Sequence, residues 1–491
     1  MQIKRHRASK CGIIKLQNNH TKEDCAVHII SQEYANNQER EGRIFNFFET
    51  YSIASLLRKC GANKEKGVSV VAIFRYLLCL MFSDRSMYMQ LLTNHFRESF
   101  SKNTVYRFLN SSKINWERFL LLLSERIVNR FLRPLTSDDR EDVFIIDDST
   151  YRKRGYKKTE LVTKVFDHVS MKYIKGFRLL TLCWSDGNSL VPVAHRLMSS
   201  ANEENILGVV NDYDKRSLAF KRRQQACCKA TDVTLDMLKD AQKAGHKAKY
   251  VLFDSWFSNP KEVIRIKEEC GPDTIAMIKK TTKTYYEYNG EKLNIKRIFC
   301  RCKKQPEGSK YIVSAIVNAR YTDEKGVEHK IPAKIVCVRN RSNKKDWLAM
   351  ICTNTELSEE EIIRIYGKRW DIEVFFKTCK QMLKLETECR SLSYDALTAH
   401  VSIVFVRYML LSVEKRTDED DRTTGELFWL IADELQDITF NESLKLVVQA
   451  FVEAVAEKLH ITASQLDSLM TAFCAKLPAY IRSALCIPIT G

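Results

Sequence analysis

The chain has 491 residues, 45% of them hydrophobic, and its 79 Lys and Arg residues exceed its 61 Asp and Glu residues, giving a net charge of +18. This length predicts two to four domains, and the positive charge favours a polyanionic partner, either nucleic acid or an anionic membrane. The longest apolar runs, residues 69–82 and 401–413, contain Arg75 and Arg407 and are shorter than the ~20 residues of a membrane span, so nucleic acid, and double-stranded DNA in particular, is favoured over a membrane.

The 16 cysteines are scattered through the chain, and none form a CxxC pair. Cys300 and Cys302 lack a second pair at zinc-finger spacing. This distribution predicts reduced thiols in a cytosolic protein rather than a disulfide framework or a zinc site.

Residues 1–135 form two segments that differ in composition and hydrophobic pattern. Residues 1–40 are polar and irregular, which predicts a flexible basic arm, whereas residues 41–135 repeat apolar side chains at helical spacing. Within the second segment, Ser101 precedes Lys102 and Arg107, a pattern suited to a helix that reads DNA in helix-turn-helix style. An ordinary solvated helix face accounts for these residues equally well.

Strand-like segments follow. Residues 177–184 and 190–196 are joined by Ser185-Asp186-Gly187-Asn188, a hairpin turn signal. A helical stretch at 226–244 comes next, and residues 274–346, rich in Thr, Tyr, Val and Ile, predict a β-rich insertion. Hairpin strands combined with βαβ units predict an α/β fold with a mixed sheet flanked by helices.

We therefore divide the chain into six regions. These are a flexible basic arm (1–40), a helical DNA-binding region (41–135), the first part of a catalytic core (136–273), the β-rich insertion (274–346), the second part of the core (347–393) and a helical C-terminal region suited to dimerisation (394–491).

Two predicted strands end in carboxylates. Residues 143–146 run into Asp147 and Asp148, and residues 250–253 run into Asp254. Because ligands bind at the carboxyl ends of strands in open α/β sheets, Asp148 and Asp254 are expected to face one crevice. A single Asp in this position is more often a turn former or a helix cap.

A long helix is predicted over residues 358–384. On it Tyr366, Arg369, Glu373 and Lys380 lie within an arc of about 60°, while most other faces are apolar. An exposed Arg369–Glu373 ion pair, worth a few tenths of a kcal/mol, is the simpler interpretation, but it leaves the apolar faces unexplained. A Glu that faces the two strand ends completes a three-carboxylate site.

Three carboxylates suit phosphodiester chemistry. Mg²⁺, with Mn²⁺ as an alternative, is bound by Asp and Glu oxygens. Two such ions about 4 Å apart activate the attacking oxygen and stabilise the leaving one. Tyr366, Arg369 and Lys380 would then contact the phosphates beside the scissile bond.

At these residues the sequence resembles the DDE transposases of bacterial cut-and-paste insertion sequences. The similarity is to the branch with a Tyr, Arg, Glu, Lys signature, which Tyr366, Arg369, Glu373 and Lys380 match at every spacing. The resemblance covers roughly residues 140–400 and implies a ribonuclease-H-like core with a β insertion before the catalytic Glu.

The same resemblance implies the other catalytic residues. The first Asp of the family stands in an Asp-Ser/Thr-Thr context, which selects Asp148, and the second ends a strand, as Asp254 does. With Glu373 they would bind two metal ions. The family often forms a DNA hairpin and flips a base onto a Trp at the edge of the insertion, a position that Trp347 occupies. A packing role explains Trp347 as well, and packing is the expected role of Trp256.

Five cations and two aromatic residues follow Asp148 directly, beginning with Tyr151-Arg152-Lys153-Arg154. Charge runs are commonly solvated faces. Beside a phosphodiester site, Arg152, Lys153 and Arg154 are expected to hold transposon-end or target DNA.

The sequence thus predicts a cytoplasmic, nucleoid-associated bacterial transposase. It would cut DNA at terminal inverted repeats and join the ends to target DNA, acting as a homodimer. The alternatives are a nuclease of the same fold that does not transpose and a transposase-derived DNA-binding regulator. A glycosidase-like hydrolase needs only two carboxylates and leaves the basic stripe unexplained.

Overall fold

The computed structural model describes residues 42–64, 66–82, 101–137, 140–167, 170–340, 343, 345–417, 423–459, 462–478 and 481. The predicted arm, residues 1–40, lies outside this part of the chain. Phe47–Leu430 forms one compact unit, and the described residues after Leu430 belong to a second.

One mixed sheet runs through Phe47–Leu430. Its strands follow the order β2-β3-β1-β5-β6-β11-β10-β9-β7-β8, and β4 pairs with β3. The strands are β1 (Val143–Arg152), β2 (Thr163–Asp167), β3 (Lys172–Ser185), β4 (Leu190–Met198), β5 (Tyr250–Phe253), β6 (Asp273–Ile278), β7 (Tyr285–Tyr288), β8 (Glu291–Asn294), β9 (Val313–Thr322), β10 (Glu328–Arg339) and β11 (Trp347–Cys352).

The core of the sheet has a ribonuclease-H-like arrangement. Strands β4, β3 and β1 form an antiparallel set, and β5 and β6 continue it parallel to β1. The hairpin between β3 and β4 turns at Gly187, whose φ of 92° lies in the region that glycine adopts freely. Strands β3, β4 and β5 are buried over most of their length, and β1 is buried over its first four residues, because helices cover both faces.

The β-rich insertion extends this same sheet. Strand β11 pairs with β6 on one side and with β10 on the other, and β9, β7 and β8 follow outward. The sequence placed residues 274–278 in the insertion, but these residues lie in β6, and residues 274–276 pair directly with β5 of the core.

The helices of the described residues are α1 (Arg43–Thr50), α2 (Ile53–Lys59), α3 (Val70–Cys79), α4 (Lys102–Leu109), α5 (Trp116–Ile127), α6 (Leu218–Ala226), α7 (Ala230–Lys243), α8 (Pro260–Arg265), α9 (Ile295–Arg301), α10 (Glu359–Gly367), α11 (Trp370–Gln381), α12 (Tyr394–Thr417), α13 (Thr424–Leu459) and α14 (Ala463–Lys476). Helix α4 begins after Ser101, as expected, but most of the segment before it lies outside the described residues.

Helix α12 lies in the core. Within the described residues it alone is long and apolar enough to cross a membrane, yet 89% of its most apolar window is buried inside the fold. Each fully buried Leu, Ile or Phe contributes about 1.5–3 kcal/mol. Arg407, which interrupts the apolar run, binds Glu388 at 2.7 Å and donates to three backbone carbonyls.

Two boundary predictions were wrong. Strand β1 does not end at Asp147 but continues to Arg152, because residues 147–152 pair with β3. The helix predicted over 358–384 is two helices, α10 and α11. Between them, Lys368 and Arg369 donate to carbonyls three residues back, which tightens the turn and separates the helices.

Candidate active site

Two adjacent carboxylates lie in β1 just beyond its parallel pairing with β5. That pairing ends at Ile146 and Phe253, so Asp147 and Asp148 follow it directly. Because successive side chains in a strand point to opposite faces, the two carboxylates have different partners. Asp148 pairs with Arg178 of β3, whereas Asp147 pairs with Arg369 at 3.0 Å.

The third carboxylate comes directly after β5, as predicted. The side chain of Asp254 accepts a hydrogen bond from the backbone nitrogen of Trp256 at 2.9 Å. Burial raises the pKa of Asp254, and the negative charge of Asp148 acts in the same direction. Asp254 therefore lies near negative charge at the point where the parallel pairing of β1 and β5 ends.

The junction of α10 and α11 brings the fourth carboxylate to this place. Arg369 stands at the start of α11 and donates to Glu373 at 2.5 Å and to Asp147 at 3.0 Å. One turn earlier, the Tyr366 hydroxyl donates to the carbonyl of Phe253 at 3.5 Å. The junction of α10 and α11 thereby contacts the middle of β1 and the end of β5. We call Asp147, Asp148, Asp254, Glu373 and Arg369 the carboxylate site.

Lys380, the last residue of the signature, lies two turns further along α11. Its ammonium group donates to the Thr150 hydroxyl at 3.4 Å and is 3.3 Å from the carboxylate of Glu386. Arg369 and Lys380 thus both contact side chains of β1, and Tyr366 contacts β5.

Within the carboxylate site, Asp147 has the pKa that is shifted most strongly from its usual value. Burial raises its pKa to about 7, against the opposing effect of Arg369, and the charges of Asp254 and Asp148 add to the rise. Burial also raises the pKa of Tyr366 to about 12. Strongly perturbed groups in one place are typical of functional sites.

The carboxylate oxygens are ligands that hard divalent cations prefer. Among the described residues, however, no group of three or more His, Cys, Asp and Glu side chains is close enough to form a ready cation site. Arg369 occupies the space between Asp147 and Glu373, and Arg178 neutralises Asp148. A cation at these carboxylates would therefore replace the contact between Arg369 and Glu373.

Two tryptophans lie beside strands that flank the site. Trp347 opens β11, and its ring stacks on Phe299 at 4.2 Å with an interplanar angle of 6°. Lys280 lies 5.1 Å from the same ring. Trp256, which was expected to be packing, is instead 48% exposed.

The basic run after Asp148 divides into different environments. Arg152 pairs with Asp167 at 2.6 Å. Lys153 is buried and donates to the carbonyl of Cys389 at 2.9 Å, so it stabilises the fold and does not face solvent. Of the three predicted DNA contacts, Arg152 and Arg154 are exposed, and so are Lys157 and Lys158 in the turn that follows.

Sequence reasoning missed Asp147 and Arg178 as members of the site. The contact of Arg178 depends on the register that sets it opposite Thr150, two residues beyond Asp148. A single sequence does not disclose that register. The position of Asp147 next to Asp148 indicated that either carboxylate could belong to the site. The sequence did not show which of these two side chains points toward α11.

Two family models match overlapping parts of the chain. One, described as DDE superfamily endonuclease, matches residues 73–294, and the other, described as Transposase DDE domain, matches residues 216–410. The first includes Asp147, Asp148 and Asp254, and the second includes Asp254 and Glu373. These matches support a DDE transposase.

Among solved structures, the chain is similar to the Drosophila P element transposase strand transfer complex. The identity is 11% and the TM-score 0.20, over 50% of this chain and 52% of that chain. The match thus spans about half the length of that transposase. No curated protein matches the chain.

Proposed function

We propose that this protein is a cut-and-paste transposase that cleaves double-stranded DNA at transposon ends and joins the ends to target DNA. The observation that carries the proposal is Arg369, which binds Asp147 and Glu373 together beside Asp254 at the strand ends of a ribonuclease-H-like sheet. The two family matches, which cover this site between them, support the same class of enzyme.

Asp148, Asp254 and Glu373 are the proposed catalytic residues and the proposed ligands of two Mg²⁺ or Mn²⁺ ions. When bound, such ions would supply Lewis-acid activation of the attacking oxygen and stabilisation of the leaving oxygen. The raised pKa of Asp254 agrees with this role, because burial beside Asp148 leaves negative charge that a cation would neutralise.

Asp147 is the second candidate for the first ligand. It is the β1 carboxylate that is joined to Glu373 through Arg369. In the proposed assignment Asp147 positions Arg369 instead, and it remains bound to the guanidinium when Glu373 is released.

The neighbours of the carboxylates are proposed to hold the DNA backbone. Arg369 and Lys380 lie within hydrogen-bond distance of β1 side chains, so a phosphate beside the carboxylates would lie near both cations. The Tyr366 hydroxyl is the third proposed contact. The spacing of Tyr366, Arg369 and Lys380 along the sequence supports membership of the insertion-sequence branch with the Tyr, Arg, Glu, Lys signature.

A hairpin step with a base flipped onto Trp347 is part of the proposal. Its ring lies on Phe299, so a base would stack on the opposite face, where an aromatic surface binds any base. We propose that Arg152 and Arg154, with Lys157 and Lys158, contact the DNA backbone at a greater distance from the carboxylates.

The active form is proposed to be a homodimer on DNA, in the bacterial cytoplasm and associated with the nucleoid. Residues 394–491 were predicted as the dimer surface, but α12 is buried in the core. The later helices remain candidates, because Val447, Phe451 and Leu459 are apolar and more than half exposed.

The test uses the full-length protein and a duplex that carries the terminal inverted repeat found in the DNA flanking the gene. With Mg²⁺ and a supercoiled target plasmid, we expect cleavage at the repeat and a joined product. Cleavage without any joined product would assign the chain to the nucleases of this fold. Sequence-specific binding without cleavage in Mg²⁺ or Mn²⁺ would assign it to DNA-binding regulators.

A further inference from the structure

Trp256 has an arrangement that packing does not explain. It stands two residues after Asp254, and its backbone nitrogen donates to the Asp254 carboxylate at 2.9 Å. This Asx-type turn fixes the position of the tryptophan relative to the carboxylate site. The indole nevertheless remains 48% exposed.

Two cations lie against this ring. The guanidinium of Arg178 is 4.8 Å from the ring centroid, and the ammonium of Lys279, directly after β6, is 4.6 Å from it. Both distances are within the range of cation–π attraction. Arg178 also pairs with Asp148, so the Trp256 ring is connected through Arg178 to a carboxylate of the site.

We propose that Trp256 is a stacking surface for an unpaired base of the DNA strand held at the carboxylate site, with Arg178 and Lys279 binding the adjacent phosphates. This inference rests on the proposed function. A single nucleic acid strand alternates flat bases with phosphates, and an aromatic ring flanked by cations matches both groups.

The cations do not prevent stacking. The ammonium of Lys279 is carried on a flexible four-carbon stem, so it can leave the ring for a phosphate when a base arrives. Arg178 is held beside Asp148 by its ion pair and would keep its position. Trp347 differs, because a parallel protein ring already covers one of its faces.

The probe is an oligothymidylate single strand of about 20 nucleotides, since stacking on aromatic side chains is tolerant of sequence. Its affinity is measured in Ca²⁺ for the full-length wild type and for Trp256→Ala, Trp256→Phe and Trp429→Ala. Trp429 is 63% exposed and lies at a distance in sequence from the site, on α13, so it is the matched control.

We expect Trp256→Ala to weaken binding roughly 5- to 150-fold. Trp256→Phe should retain most of the affinity, and Trp429→Ala all of it. A change below twofold in Trp256→Ala, with the melting temperature of the wild type, overturns the proposal.

A measurement on the wild type covers the case in which Trp256→Ala does not fold. Fluorotryptophan labelling gives fluorine NMR signals from the six tryptophans, and the one missing in Trp256→Phe belongs to Trp256. Addition of oligothymidylate should shift that signal. If the Trp256 signal does not shift although the strand is bound and duplex DNA is still cleaved, the stacking role is refuted and the proposed function stands. If the wild type neither binds nor cleaves any DNA, the proposed function fails with it.

Discussion

Asp147 of β1 and Glu373 of α11 bind the same guanidinium group, that of Arg369, at 3.0 and 2.5 Å. A single cation therefore joins the central strand to the helix that follows the β insertion. This contact shows that the space between the two carboxylates accepts positive charge. Any metal ion bound by Glu373 must compete with Arg369, and the predictions below follow from that competition.

The first prediction separates the adjacent carboxylates. Asp148→Asn should abolish DNA cleavage in Mg²⁺, because it removes a proposed ligand. Asp147→Asn should lower the cleavage rate only about tenfold, a loss of about 1.4 kcal/mol of transition-state stabilisation. The reason is that this variant removes the charge that holds Arg369 in position. Cleavage rates and Mn²⁺ affinity are measured for both variants. If Asp147→Asn loses Mn²⁺ binding and Asp148→Asn keeps it, Asp147 is the ligand.

The second prediction concerns pH. Burial raises the pKa of Asp147 from 3.8 to about 7, so between these values the folded protein holds a proton that the unfolded chain has released. The free energy of unfolding should therefore fall as the pH rises through this range, by at most about 1.4 kcal/mol per pH unit. Asp147→Asn should lack this part of the dependence. Urea unfolding in EDTA measures it, and parallel curves for wild type and variant would contradict the assignment.

The third prediction concerns the basic run after Asp148. Replacing Arg154, Lys157 and Lys158 with Ala should flatten the log–log salt dependence of DNA binding by about 0.9 for each phosphate that the variant no longer binds. The matched control replaces Lys243, Lys247 and Lys249, which are also exposed but lie at the amino end of β5. Equal slopes in both triple variants would show that the run is ordinary solvated surface.

Lys153 should behave differently from its neighbours. Because it is buried and bonded to the Cys389 carbonyl, Lys153→Ala should lower the melting temperature and leave the salt slope of the remaining folded protein unchanged. If Lys153→Ala has a normal melting temperature and a reduced salt slope of DNA binding, Lys153 contacts DNA after all.

The fourth prediction concerns Trp347. If a base stacks on it, Trp347→Ala should lose stacking worth about 1–3 kcal/mol and fail in hairpin formation, while first-strand nicking, which needs no extruded base, continues. A purely structural Trp347, packed on Phe299, would cost about 3–5 kcal/mol of stability when truncated. Nicking, hairpin product and melting temperature are measured on one preparation. Loss of all three together would leave Trp347 as packing.

These contacts also show how far the sequence could predict the structure. The apolar run before Asp254 and the hairpin at Gly187 were predicted correctly, because short buried strands and turn glycines are local signals. The face of β1 on which each Asp lies was not predictable, since it depends on the pairing that sets Thr150 opposite Arg178. Pairing register is a property of distant segments.

The helix break had a similar cause. Apolar spacing continues through residues 358–384 and predicts one helix, whereas the tightened turn at Lys368 and Arg369 ends α10. In the folded chain, Arg369 at that turn binds Asp147 of β1. The break places Tyr366 on α10, while Glu373 and Lys380 lie on α11 with Arg369 at its start.

Glu373→Gln in the full-length protein tests the central claim most directly. The variant keeps the size of the side chain but removes the charge that a divalent cation needs, and Glu361→Gln on α10, a half-buried residue that pairs with Arg364, is the control. On a duplex carrying the terminal repeat, Glu373→Gln should bind in Ca²⁺ with wild-type affinity and give no cleavage in Mg²⁺, while Glu361→Gln does both. Cleavage by Glu373→Gln at the wild-type rate would contradict the account.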